Sequence, residues 1–453
     1  VITKDPVIEY VPLYVNEGAV STHGQPLNAA GASTEATIRA LGGNSENPFE
    51  IFEDVQQAFE TRKNELRLLV KKWKEEKAEW DNNNQEKAKT LSSWLSGKAP
   101  VVNLSSLPVK EGVATRVTSG SVLAHLAENV KNCICSSADL SNSDNTQAFL
   151  DKTGIFRPGD FSGAFVQVGV AELTMGAICC GIALHGGLYP ICATFFVFSD
   201  FMKPVLRMAA LMGLPVKFVY THDSFRVGED GPTHQPIEHE TQIRLLEGLK
   251  KDSGQSEMLV LRPADAYETV AAWEMAFEND NSPTVLILTR QVVKTLPYQG
   301  NAYETAAMCR KGAYILSDNT SANARPDLTF VANGSDVLLT HDAAEILRAE
   351  GLQVRVVSMI SPALFLSQSE EYRKNILVPW TPVYAQSSGL PLLFEKVVGG
   401  FGKTVGLERF GASAPAGILE KEFGYTPEAV AAAAKQYLQE FKANVEEFLK
   451  LYK

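Results

Sequence analysis

The chain has 453 residues with 42 basic and 53 acidic side chains, a formal net charge of −11 and 45% hydrophobic residues. That length has room for about three domains of ordinary size, and the acidic balance argues against a nucleic-acid or anionic-membrane surface as the main function. An anionic ligand would need its own local arginines and histidines.

The six cysteines, at 133, 135, 179, 180, 192 and 309, show neither paired CxxC spacing nor the density of a disulfide scaffold, so reduced thiols are expected. No charged segment followed by an apolar one opens the sequence. No run reaches the roughly 18 uncharged apolar residues of a membrane span. A cytoplasmic protein with no membrane or nucleic-acid partner is the expectation.

From Pro48 to Lys98 apolar residues recur mostly at three- and four-residue steps, as at Phe52, Val55, Phe59, Leu66, Leu69, Val70 and Trp73, amid many Lys and Glu. This predicts one or two charged surface helices. The polar Asp81-Asn-Asn-Asn84, with Ser92, Ser93, Gly97 and Pro100 behind it, reads as a domain boundary. Between about 112 and 295, apolar runs of strand length alternate with helical stretches: the Ile134 region, Gly187 to Phe198, Val216 to Tyr220, Met258 to Leu261 and Thr284 to Leu288. A second such series holds Ala313 to Leu316, Leu328 to Ala332, Gln353 to Ile360, Val383 to Ala385 and Thr404 to Leu407, with helical segments at Asp336 to Glu350 and Pro427 to Leu451. The alternation predicts an α/β protein with two doubly wound, mostly parallel-sheet domains behind a helical preface. The expected divisions are 1–108, 109–300 and 301–453.

The most informative segment is Thr221-His-Asp-Ser-Phe-Arg-Val-Gly-Glu-Asp-Gly-Pro-Thr-His-Gln-Pro236, which follows the apolar Leu214 to Tyr220. It places imidazoles and carboxylates on a turn-rich loop at a strand's C-terminal end, where open α/β sheets carry their ligands. Other strings accompany it in order: Thr22-His-Gly-Gln-Pro-Leu27, Thr115-Arg116, Ser136 to Leu140, Ala171 to Gly176, Ala183 to Gly187, Thr194 to Phe201, Leu261 to Asp265, Leu288 to Gln291, Val354 to Ser358 and Phe410 to Pro415. In identity and order these resemble the transketolases, thiamine-diphosphate enzymes that move two-carbon ketol units between sugar phosphates in the pentose phosphate pathway.

The resemblance implies a set of roles. Thiamine diphosphate needs a carboxylate beside its aminopyrimidine, and Glu172, flanked by apolar residues, matches that position. Phe195, Phe198 and Phe201 match the aromatic bed of the pyrimidine, where spacing alone would read as core packing. Asp139 matches an aspartate near the cofactor, or caps a helix. His23 and His234 match a proton-handling pair, Asp230 an aspartate that reads a substrate hydroxyl, and His222 a further active-site histidine. Arg116, Ser143 and Arg290, with His222 nearby, match the phosphate-binding positions, for which the guanidinium fork is suited.

The sequence has no Gly-Asp-Gly, the family motif that holds the diphosphate through a metal ion. Physically a diphosphate calls for an oxygen-ligated Mg²⁺ or Ca²⁺. The expectation is therefore that most of the N-terminal diphosphate-binding domain is absent, that no metal ligand lies in this chain, and that a homodimer or a partner chain completes the site. A catalytically silent interaction module and one chain of a split enzyme are the alternative readings. Within the enzymes, a dihydroxyacetone-forming relative and a deoxyxylulose-phosphate synthase share the fold logic, while His222, His234, Arg116 and Arg290 favour the sugar-phosphate transferase.

Overall fold

The computed structural model describes residues 15–16, 32–97, 100–322 and 324–450. The chain forms two compact units, residues 1–90 and 91–453. In the first, β1 (Val15–Asn16) pairs antiparallel with β2 (Ala32–Ser33), and helix Thr34–Ala40 follows. The long helix Glu53–Asn83 buries no residue. It is built from good helix formers and carries pairs at helical spacing, Lys63 to Glu60 at 2.8 Å, Arg62 to Glu65 at 2.9 Å and Lys77 to Asp81 at 2.6 Å.

Residues 81–83 of the polar run close this helix and Asn84 caps it, while the division between the two units falls after Thr90, within the polar stretch 81–100. Asp81 is held by Lys77, and the Asn84 side-chain amide donates to the Trp80 carbonyl at 3.0 Å, so the chain breaks for one residue and resumes as helix Gln85–Trp94.

The second unit holds two sheets. The first contains β3 (Cys133–Ser137), β4 (Phe165–Gln167), β5 (Tyr189–Phe195), β6 (Lys217–Thr221), β7 (Leu259–Leu261) and β8 (Thr284–Leu288), in the order β4-β3-β5-β6-β8-β7 and parallel throughout. β3, β5, β6 and β8 are buried along their whole length, which is why they read as continuous apolar runs. Chain leaving β3 turns towards β4 and chain leaving β5 turns the other way, towards β6, so the direction reverses between β3 and β5. At such a point the C-terminal ends of the strands open a crevice.

The second sheet holds β9 (Tyr314–Asp318), β10 (Leu328–Ala332), β11 (Val354–Ser358), β12 (Val383–Gln386) and β13 (Lys403–Val405), in the order β13-β12-β10-β11-β9, with β9 antiparallel at the edge. One buried apolar cluster runs across both sheets, from Leu123 and Leu286 to Leu328 and Tyr384. Among the described residues no helix is long and apolar enough to cross a membrane.

Candidate functional site

The site gathers where the parallel strands of the first sheet end. Register sets the ends level: Phe195 of β5 pairs with Thr221 of β6, and Thr221 with Leu288 of β8. Phe195, His222 and Arg290 therefore sit at or just past three neighbouring strand ends. Helix Thr115–Asn129 points its N-terminus at the same edge, tied there by reciprocal bonds: the Thr115 amide donates to Thr289 Oγ1 at 2.9 Å and the Thr289 amide to Thr115 Oγ1 at 2.7 Å.

Glu172 opens helix Glu172–His185 and is buried. Among the described residues its one hydrogen-bond donor is Thr194 Oγ1, at 3.4 Å. Thr194 immediately precedes Phe195, so the carboxylate is tethered beside the aromatic turn. Phe195 and Phe198 stack with centroids 5.7 Å apart and planes 8° apart. The His222 imidazole lies on Phe195 at 3.5 Å between centroids, and His234 meets Phe198 edge-on at 5.4 Å. Phe201 is 61% exposed and touches this group through Phe198 at 6.2 Å.

His222 adopts the left-handed conformation, φ 65°. Its Nε2 lies 3.4 Å from Arg116 Nη1 and its Nδ1 2.8 Å from Thr221 Oγ1. A guanidinium can only donate, so Nε2 accepts and the proton sits on Nδ1, facing Thr221. Burial, then the charges of Arg116 and Arg290 and the neighbouring His234, push the His222 pKa down to about 2, so the ring is neutral. Burial and Arg290 likewise lower the Arg116 pKa. Arg116 also donates to the Ser143 carbonyl, and its buried Nε has no hydrogen-bond partner among the described residues. The Ser143 carbonyl, rather than the hydroxyl, makes this contact.

The structure thus brings together Glu172, Phe195, Phe198, His222, His234, Arg116 and Ser143. Asp139, in the left-handed region with φ 62°, Asp230 and Arg290 lie exposed on the surrounding loops. His23 lies outside the described residues. Among the described residues no group of three His, Cys, Asp or Glu side chains is placed to hold a metal ion.

Two residues were not foreseen. Asp144 is buried and accepts from Ser137 Oγ at 2.6 Å, and from the Thr146 amide and hydroxyl at 2.9 and 2.7 Å. It braces the turn whose Ser143 carbonyl holds Arg116, and burial pushes its pKa up to about 6. An Asp two residues before a Thr in a polar turn was the available signal. Thr194 lay within a motif string but had no assigned role.

Fold and site together define a multidomain α/β protein of the thiamine-diphosphate-binding class. Family models match in series: a transketolase thiamine diphosphate binding domain over residues 5–100, a transketolase pyrimidine binding domain over 111–295 and a transketolase-like C-terminal domain over 312–426. A chloroplastic transketolase of Craterostigma plantagineum is 41% identical over 92% of this chain and 78% of its own length. A transketolase of Geobacillus stearothermophilus is 40% identical over 93% of this chain and 61% of its own length. A solved transketolase of Pichia stipitis in complex with sedoheptulose 7-phosphate superimposes with a TM-score of 0.78 at 33% identity, over 90% of this chain and 59% of that one. The chain belongs to the transketolase family.

The match over residues 5–100 corrects one expectation: the N-terminal thiamine-diphosphate-binding domain is represented in this chain rather than mostly missing. A missing tripeptide is a poor proxy for a missing domain, because most of a domain's pattern lies in residues outside its ligand loop. The chain spans about three fifths of the Geobacillus relative and of the Pichia structure.

Proposed function

We propose that this chain carries transketolase chemistry, moving a two-carbon glycolaldehyde unit from a ketose phosphate to an aldose phosphate with thiamine diphosphate and a divalent ion, Mg²⁺ or Ca²⁺. The observation that carries the reading is Glu172: a buried carboxylate with a single long hydrogen bond among the described residues, tethered through Thr194 to a stacked phenylalanine pair. Such an under-partnered carboxylate fits the N1′ position of an aminopyrimidine, and the Phe195 and Phe198 rings fit its apolar face. When bound, the cofactor supplies carbanion stabilisation.

In this reading Glu172 holds the proton at N1′, while Phe195, Phe198, Phe201 and Asp139 line the cofactor. His234, with His23, holds and moves protons at the sugar oxygens, and Asp230 reads a hydroxyl. Arg116 and Arg290 take the substrate phosphate with Ser143. Burial and the charge of Arg290 disfavour the charge on Arg116, which an anion between the two would relieve. His222 adds no charge and orients Arg116. The exposed Val170, Leu173, Ile178 and Leu184 around the Glu172 helix support a dimer in which a second subunit covers that face.

The test is calorimetric titration of thiamine diphosphate with Mg²⁺ into the purified chain and into Glu172→Ala, followed by a ketol-transfer assay. Metal-dependent binding that the substitution weakens, with transfer, supports the reading. Binding and transfer that appear only when a second chain is added select a split enzyme, and none under either condition selects a silent module.

A further inference from the structure

The C-terminal sheet lends no residue to the site, yet its connecting segments enclose the loop that carries His222, Asp230 and His234. Arg226 lies midway along that loop and is 3% exposed. Its Nε donates to Glu420 Oε1 at 2.6 Å, and its Nη1 to Asp336 Oδ1 at 3.0 Å, Ser388 Oγ at 2.8 Å and Ser335 Oγ at 3.2 Å. All four acceptors belong to residues 335–420, and Ser388 also donates to Asp336. The guanidinium lies over Phe225 at 4.9 Å and over Tyr425 at 5.5 Å, and those two rings meet edge-on at 4.8 Å.

The rest of the loop lies against the same domain. Gln235 Nε2 donates to the Gly228 carbonyl at 2.8 Å and the Ala412 carbonyl at 2.9 Å, and Ser413 Oγ donates to the Glu229 carbonyl. Gly228 and Gly231 both have positive φ, 88° and 77°, so the backbone there has little preference of its own. Side-chain anchors must then fix its path.

Resting on the site reading above, we propose that Arg226 is a positioning residue: it latches the His222–His234 loop to the C-terminal domain, which thereby sets the placement of Asp230 and His234. It touches neither substrate nor cofactor.

The experiment is hydrogen exchange on the full chain, with steady-state ketol-transfer kinetics in the presence of thiamine diphosphate and Mg²⁺, for Arg226→Met, Arg226→Lys and Glu420→Gln. The Arg226→Met variant is expected to speed amide exchange across 228–235 by about tenfold or more while β10 keeps its protection. Its kcat/KM for a ketose phosphate should fall by about 10- to 100-fold, with Arg226→Lys restoring part of both. Glu420, at 36% side-chain exposure, is the milder site and keeps the test open should Arg226→Met fail to fold; Glu420→Gln is expected to loosen the loop by about two- to tenfold. Loop exchange unchanged in the folded variants, or a fall in thermal midpoint alone, overturns the proposal. A native chain that transfers no ketol unit would sink the site reading, while the exchange measurements still decide the role of Arg226.

Discussion

The His222 imidazole lies nearly flat on the Phe195 ring, with centroids 3.5 Å apart and planes inclined by 26°. That contact joins the aromatic side of the site to its cationic side, because the same imidazole accepts from Arg116. Replacing His222 with Ala is expected to raise the KM for a sugar phosphate by about tenfold, through the lost hold on Arg116, with a smaller effect on kcat. Steady-state kinetics check this.

The neutrality of His222 also predicts a pH dependence. Its pKa is about 2 in the folded chain against an ordinary 6.5. Below pH 6.5 the unfolded chain binds a proton that the folded one refuses, so this residue's contribution to stability is full above 6.5 and is lost as pH falls. The limiting slope is about 1.4 kcal/mol per pH unit. Urea unfolding of His222→Gln between pH 7 and 5 should show a shallower acid loss than the native chain. An unchanged slope would refute the buried neutral ring.

Glu268 acts in the opposite sense. Burial, then the charge of Asp265, pushes its pKa up to about 7 from 4.5, while donors from Ser358 at 2.6 Å and Tyr314 at 2.9 Å partly offset this. Here the folded chain keeps a proton that the unfolded one releases, so stability falls as pH rises from 4.5 towards 7. Glu268→Gln is expected to flatten that fall by up to about 1.4 kcal/mol per pH unit, read by the same unfolding series.

Glu172→Ala removes the one buried carboxylate tethered to the aromatic turn. Thiamine diphosphate affinity should drop by about 10- to 100-fold, the effect of losing one charge-assisted hydrogen bond. Glu172→Gln should recover less than half of that in free energy. Calorimetry reads both, and equal affinity in all three chains would remove Glu172 from the site.

Arg262 is 1% exposed and pairs with Asp223 at 2.7 Å and Glu240 at 2.6 Å, and Glu240 accepts from Asn333 at 2.7 Å. Arg262→Met leaves the buried Asp223 without its cation and Glu240 with Arg244 alone, at 2.9 Å, and should cost about 3–5 kcal/mol in chemical unfolding. The loss should be nearly independent of salt, since the group is out of reach of screening ions.

The strands of the first sheet were legible because burial on both faces makes β5, β6 and β8 apolar along their length. β4 was not foreseen as a separate strand, since its three residues carry no periodicity. Glu172, His222 and His234 were singled out by strings that resemble the family's, and parallel topology sets those strings at neighbouring strand ends. The ion network could not: Arg226 and Glu420 stand 194 positions apart, and nothing local marks either as buried. Helical spacing announced the charged helices between 48 and 98, but the asparagines at 82–84, usual turn residues, read as a boundary where Asn82 and Asn83 continue the helix and Asn84 caps it.

The crossed bonds of Thr115 and Thr289 span 174 positions of sequence. During synthesis, then, the guanidiniums of Arg116 and Arg290 cannot meet until β8 has emerged, however early the preceding strands collapse. With so distant a closure, anion affinity should return in refolding as one of the last events, after the bulk of helical signal has recovered.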